Sequence, residues 1–311
     1  MQPPVYFGAM KLRLLLLSFF FPLLVFGNDT LRLFQPSPQL HRGRVIGVAG
    51  TAFVLGGGSL IGLEQLWYAD YPRQPFHIFN DNDEWMQMDK AGHAFTAYTI
   101  ARISNGALRW SGVKSKNARW YAVLPPMLFL SGIEVLDGYS AGWGFSWGDC
   151  AANVSGAAFF VVQDALWNEQ RIQLKFGFRQ SEFAQYRPNL LGSTWTEQLL
   201  KDYNGQTYWL SVNIASFLKP ETRFPKWLNA AVGYGAGGMT GGSSNPVICN
   251  AQGNCFTFAR YREYYLSADI DLTKLPVKRP WLKAVCSTFG WVKIPAPALV
   301  VANGRVRGGV W

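Results

Sequence analysis

The period of the apolar positions changes once along this chain, near residue 170, and divides it into two halves. Before that point the apolar residues come in long runs of helical character. Residues 45–63 read VIGVAGTAFVLGGGSLIGL, nineteen positions without a charge. That is close to the minimum for a bilayer-spanning helix and also fits a buried soluble one. Gly50, Gly56, Gly57, Gly58 and Gly62 in this run would let another helix approach closely. A second helix is predicted over 84–103, capped by Asn82 or Asp83. A third is predicted over 118–136, kinked or broken at Pro125 and Pro126. A fourth is predicted over 147–169. After Trp167 the period becomes two. Segments 171–179, 208–214, 228–236 and 264–272 alternate as half-buried strands do. Residues 298–311 suggest one strand more, and 194–203 a short helix.

The expected fold class is therefore α+β: an apolar bundle of about four helices followed by an antiparallel strand-rich half. The helical domain covers 45–170, and the strand-rich domain, packed on the helices, covers 171–311. Ile172, Leu174, Phe176, Leu210, Val212, Val232, Tyr234, Leu266 and Ile270 should share the sheet's apolar face. That face should meet the helices or lipid, while Ser211 and Asp271 on the other side should tolerate charge. A barrel in the outer membrane is the alternative, although closed bacterial barrels take about eight strands or more.

Composition moves the picture toward a membrane. Of 311 residues only 15% are charged and 15% are aromatic, against about a quarter charged in ordinary soluble domains. The net charge of +10 comes from scattered Lys and Arg with no dense run. Nucleic acid is therefore not the expected partner; membrane lipid or an envelope protein is. Lys11 and Arg13, the apolar run 14–25, and Val25 and Gly27 read as a signal peptide over 1–27. A polar, extended segment covers 28–44. The location this implies is the bacterial cell envelope, in the periplasm or at the outer membrane. An exported chain can oxidise its cysteines. Cys249 and Cys255 bracket a turn-rich stretch and are candidates for a loop-closing disulfide. The four cysteines lack C-x-x-C spacing, so no zinc signal arises from them.

The candidate chemistry lies in polar residues set into the apolar helices. Asp89 and His93 are four apart, Glu134 and Asp137 three apart, and Asp149 and Asn153 four apart. Each pair shares a helix face. Buried carboxylates are destabilising unless paired or metal-bound, so the six residues should converge. One reading is a divalent metal bound by Asp89, His93, Glu134, Asp137 and Asp149. A second is acid–base catalysis by His93, Glu134, Asp137 and Asp149 in an envelope hydrolase acting on a lipid-like substrate. A third is a structural network in which Lys90 and nearby Arg residues neutralise the acids and Ser146 or Asp149 caps a helix. Asn153, Gly156 and Ser140 have structural roles in that reading. Gly138-Tyr139-Ser140-Ala141-Gly142 matches G-x-S-x-G, but a nucleophile elbow needs a strand before it. A Gly-rich turn between helices is the simpler account.

The order D-K-x-x-H, E-x-x-D-G-x-S, W-G-F-S-W-G-D-x-x-x-N-x-x-G resembles the YfiM-like predicted periplasmic lipoprotein family of unknown function. It is also similar to the VanZ-like pattern of D-K-x-x-H, a later Glu, then D-x-x-x-N-x-x-G. The resemblance covers residues 85–170. The tail, with KDYNGQTYWLSVN and RYREYYLSADIDL, is similar to the longer Bacteroidetes-type members. No lipobox Cys is present near Asn28, a departure from a lipoprotein. The resemblance implies an envelope location and no established reaction. The expected function is a membrane-associated envelope protein that binds lipid or a partner through a helical unit holding a polar cluster, without evident enzymatic activity.

Overall fold

The computed structural model describes residues 34–68, 71–249 and 253–311. The expected signal peptide lies outside the described residues. Helix α1, Arg42–Leu63, begins at His41, whose ring accepts from the Arg44 N–H at 3.2 Å. It has no polar stripe and none of its residues is buried. A five-residue π-turn, Glu64–Tyr68, ends it and directs Tyr68 inward. Helix α2 is Met88–Trp110. The expected third helix is two helices: α3, Ser115–Tyr121, and α4, Leu124–Gly138. Pro125 and Pro126 fall in the first turn of α4, where a missing N–H removes no helical bond. Helix α5, Trp147–Trp167, starts at Ser146, whose Oγ accepts from the Asp149 N–H at 3.1 Å.

The packed helical unit is α2, α4 and α5, not a bundle of four. Helix α1 leans on α4 where Leu60 meets Gly132, yet it buries nothing. Tyr98 and Ala101 of α2, Ala122 just after α3, and Phe160 of α5 form a core against which Leu174 of the first strand packs. Gly156 sets the closeness of α2 and α5: a Cβ there would lie 2.0 Å from the Ala94 carbonyl oxygen.

The second half is an antiparallel six-stranded sheet in the order β1-β2-β3-β6-β7-β8. Its strands are β1 (Ile172–Phe178), β2 (Gln206–Asn213), β3 (Leu228–Gly237), β6 (Tyr261–Ile270), β7 (Pro297–Ala302) and β8 (Arg305–Val310). Helices α6 (Pro188–Leu191) and α7 (Trp195–Lys201) lie between β1 and β2, and α8 (Pro280–Thr288) between β6 and β7. A separate hairpin, β4 (Ile248–Cys249) with β5 (Cys255–Phe256), is bridged by the Cys249–Cys255 disulfide. The tail forms two strands where one was expected, because Asn303 and Gly304 both adopt positive φ and make a tight hairpin turn. The sheet curls on itself. The stretch before β7 returns to the free edge of β1: the Phe176 N–H donates to the Trp291 carbonyl and the Lys293 N–H to the Phe176 carbonyl, both at 2.8 Å.

The register places the expected apolar residues on one face, with Leu174 opposite Leu210, Leu210 opposite Val232, and Val232 opposite Leu266. That face meets the helices, as expected, at Leu174, Phe176 and Tyr208, but the opposite face is not the open one the expectation made it. The concave face, carrying Trp209, Ala231, Tyr265 and Val300, is buried. It also holds Lys175 Nζ 2.6 Å from Asp269 Oδ2, and Ser211 Oγ donating to the same carboxylate at 2.6 Å. Ser211 and Asp271 are fully buried, so neither will accept a new charge. Alternation fixes which residues share a face; curvature decides which face closes.

Candidate functional site

The site lies at one end of the helical unit, where α2 and α5 begin and α4 ends. A left-handed turn introduces α2: Trp85, Met86 and Gln87 have φ of 47°, 51° and 63°. Such conformations are strained for non-glycine residues. They are held by Tyr234, which donates to the Met86 carbonyl, and by the packing of Trp85 against Tyr203. The turn fixes where Asp89, Lys90 and His93 project.

Lys90 is the cation at the centre. Its Nζ lies 2.7 Å from Asp81 Oδ1, 2.8 Å from Asp149 Oδ1 and 3.3 Å from Asp89 Oδ2. Ser146 Oγ donates to Asp81 at 2.5 Å and the Ser146 N–H to Glu134 Oε2 at 3.0 Å. Tyr203 OH donates to Asp89 Oδ1 at 2.7 Å. Tyr68 OH donates to Asp137 Oδ1, also at 2.7 Å. His93 stands beside Lys90. Its Nδ1 is 2.9 Å from Asn153 Oδ1 and 3.8 Å from Glu134 Oε1; its Nε2 is 3.8 Å from both Asp89 Oδ1 and Asp149 Oδ1. With Asn153 Oδ1 accepting, Nδ1 carries a proton, and Nε2 faces the Asp89 and Asp149 carboxylates. Asp89, His93 and Asp149 offer ligand-type atoms within 4.8 Å of one another. Glu134 Oε1 is buried and has no hydrogen-bond partner among the described residues.

Burial sets the protonation of the acids. It raises Glu134 to about 7, partly offset by the His93 charge. It raises Asp137 to about 7, partly offset by the Tyr68 hydrogen bond. It also raises Asp149, as do the neighbouring Asp89 charge and Asp81. Burial opposes ionisation of Asp89 too, but His93 and Lys90 outweigh it and hold that carboxyl below its ordinary value. For Glu134 and Asp137 the folded-state value is raised, so the folded protein holds more protons than the unfolded chain. Their contribution is present at low pH and is lost as pH rises through about 7. Thermal unfolding in detergent should therefore give a higher Tm at pH 5 than at pH 8, and Glu134→Gln should flatten that slope. An unchanged slope in the variant would contradict the assignment.

Five of the six residues singled out from the sequence, Asp89, His93, Glu134, Asp149 and Asn153, meet here around His93 and Lys90, while Asp137 is bonded to Tyr68. Ser140 does not join them. It lies in the turn after α4, where its Oγ accepts from the Gly142 N–H at 3.2 Å. A helix, α4, runs into it where a nucleophile elbow needs a strand. Asp81, Tyr68 and Tyr203 were not legible as site residues, since each comes from a connector or from the other half of the chain. A second polar cluster also went unread: Asp164 accepts from Arg109 at 2.6 Å and Arg119 at 2.7 Å, at the opposite end of the helices.

The helix-borne acids and His93 fall within a segment that matches a known family. Residues 78–165 match a family described as predicted periplasmic lipoprotein (DUF2279). The match takes in every residue of the cluster on α2, α4 and α5 together with Asp81, and it supports an exported, envelope location. No activity comes with this family, and the strand-rich half lies beyond the match. No curated protein and no solved structure matches the chain.

Proposed function

We propose that the chain is a membrane-associated protein of the cell envelope that binds lipid or an envelope partner, its helical unit held together by the Lys90–His93 network. The observation that carries this reading is α1. Its 22 residues are apolar, long enough to cross a membrane, and wholly unburied. At about 1.5 Å per residue they extend roughly 33 Å, against a hydrocarbon core of about 30 Å. Exposed Leu124, Leu128, Val154 and Leu166 on α4 and α5 extend the apolar surface. Washing cell envelopes with alkaline carbonate tests the reading. The protein should stay in the membrane pellet; release into the wash with the soluble periplasmic proteins would overturn it.

A second reading is a divalent-metal site, with envelope hydrolysis as its chemistry. It is favoured by the convergence of Asp89, His93 and Asp149 and by the partnerless Glu134 oxygen. Against it stands Lys90, whose ammonium already occupies the space among three carboxylates and would repel a second cation.

A further inference from the structure

We propose that the convex face of the curled sheet lies against the hydrocarbon of a bilayer, so that the strand-rich half is membrane-embedded in its own right. This goes beyond the reading of α1 and does not depend on it.

The first observation is inverted polarity. The concave side of the sheet encloses the Lys175–Asp269 ion pair, together with Ser211, Asn213 and Asn229. The convex side is apolar; Leu174, Phe176 and Tyr208 on β1 and β2 pack on α2, and the rest of it is open. One row of register-paired residues, Leu210, Val232, Leu266 and Leu299, crosses four strands. Their exposures are 41%, 51%, 55% and 54%. In water such a sheet would turn these leucines inward and the ions outward. Polar inside and apolar outside is the arrangement of strands in lipid.

The second observation is the order of residues along each strand. The convex positions of β6 read Arg262, Tyr264, Leu266, Ala268, Ile270: a charge, an aromatic, then apolar residues. Tyr234 pairs with Tyr264 across the strands, and Arg262 Nε donates to Tyr234 OH at 3.2 Å. At the other end stand Trp167 and Phe217, in edge contact with Arg171 over both rings. From Tyr264 to Ile270 the strand rises roughly 20 Å at about 3.3 Å per residue. An apolar band of about 25 Å between aromatic girdles is what lipid-facing strands present. A soluble partner protein has no need of two aromatic rims that far apart.

The third observation is at the β1 edge, where the return of Trp291 and Lys293 satisfies the Phe176 N–H and carbonyl, backbone groups that lipid could not.

The test is photolabelling of the full chain in phosphatidylethanolamine–phosphatidylglycerol vesicles carrying a bilayer-confined diazirine, with adducts located by peptide mass spectrometry. Carbene insertion is expected at Leu210, Val232, Leu266 and Leu299 at the level found at Phe53 and Val54 of α1. Labelled α1 with an unlabelled sheet would overturn the proposal, whether water or a second copy of the chain covers that face. A labelled sheet with unlabelled α1 would sustain it and refute the reading of α1 instead.

Discussion

Lys90→Met should lower stability by about 3–5 kcal/mol, the range for removing one partner of a buried ion pair. Lys90 is largely shielded from solvent, and its ammonium lies within 3.3 Å of Asp81, Asp89 and Asp149. Methionine keeps the length of the side chain and removes the charge. Three carboxylates are then left facing one another, with His93 3.8 Å from two of them. For a chain of this size the loss corresponds to a fall in Tm of roughly 10 °C. Adding Asp149→Asn should restore part of it, because an amide removes a carboxyl whose ionisation Asp81 and Asp89 oppose. Equal melting of Lys90→Met and the wild type would show that the cluster does not depend on its lysine.

An effect of similar size, about 3–5 kcal/mol, should follow from Lys175→Met alone or Asp269→Leu alone in the sheet. Both side chains are completely buried and 2.6 Å apart. Each also holds other groups: Lys175 donates to the Ile270 carbonyl at 2.7 Å, and Asp269 accepts from Ser211. The double variant should be milder than the sum of the two, since it leaves no isolated charge beyond Lys293, which donates to the Ala268 and Ile294 carbonyls. Denaturant or thermal melting of the four proteins gives the coupling energy directly. Additivity would mean that the pair is not a unit.

The two halves differ in how far their sequence discloses them. Helices and strands were legible because long apolar runs and strict alternation are local signals. The strand at 171–179 and the helix at 147–169 fall within a residue or two of β1 and α5. The split of the third helix was half legible: prolines signal a break, but only packing decides that they open a new helix. The inward face of the sheet was not legible at all. Leu266 and Ser267 alternate identically whether the leucine meets core or lipid, and the curl that buries Asp269 comes from contacts between β1 and residues 291–293. At the site, helical spacing brought together Asp89, His93, Glu134 and Asp149. It could not reveal Asp81 or Tyr203, whose approach depends on a connector and on the second half of the chain.

The central claim is that Lys90, and no metal ion, neutralises this carboxylate cluster. Elemental analysis of the full chain, purified from envelopes without chelators, tests it most directly. No transition metal is expected in stoichiometric amount, and the metal content of wild type and Asp149→Asn should be the same. One equivalent of zinc, manganese or iron per chain, lost in Asp149→Asn, would contradict it and establish the cluster as a metal centre.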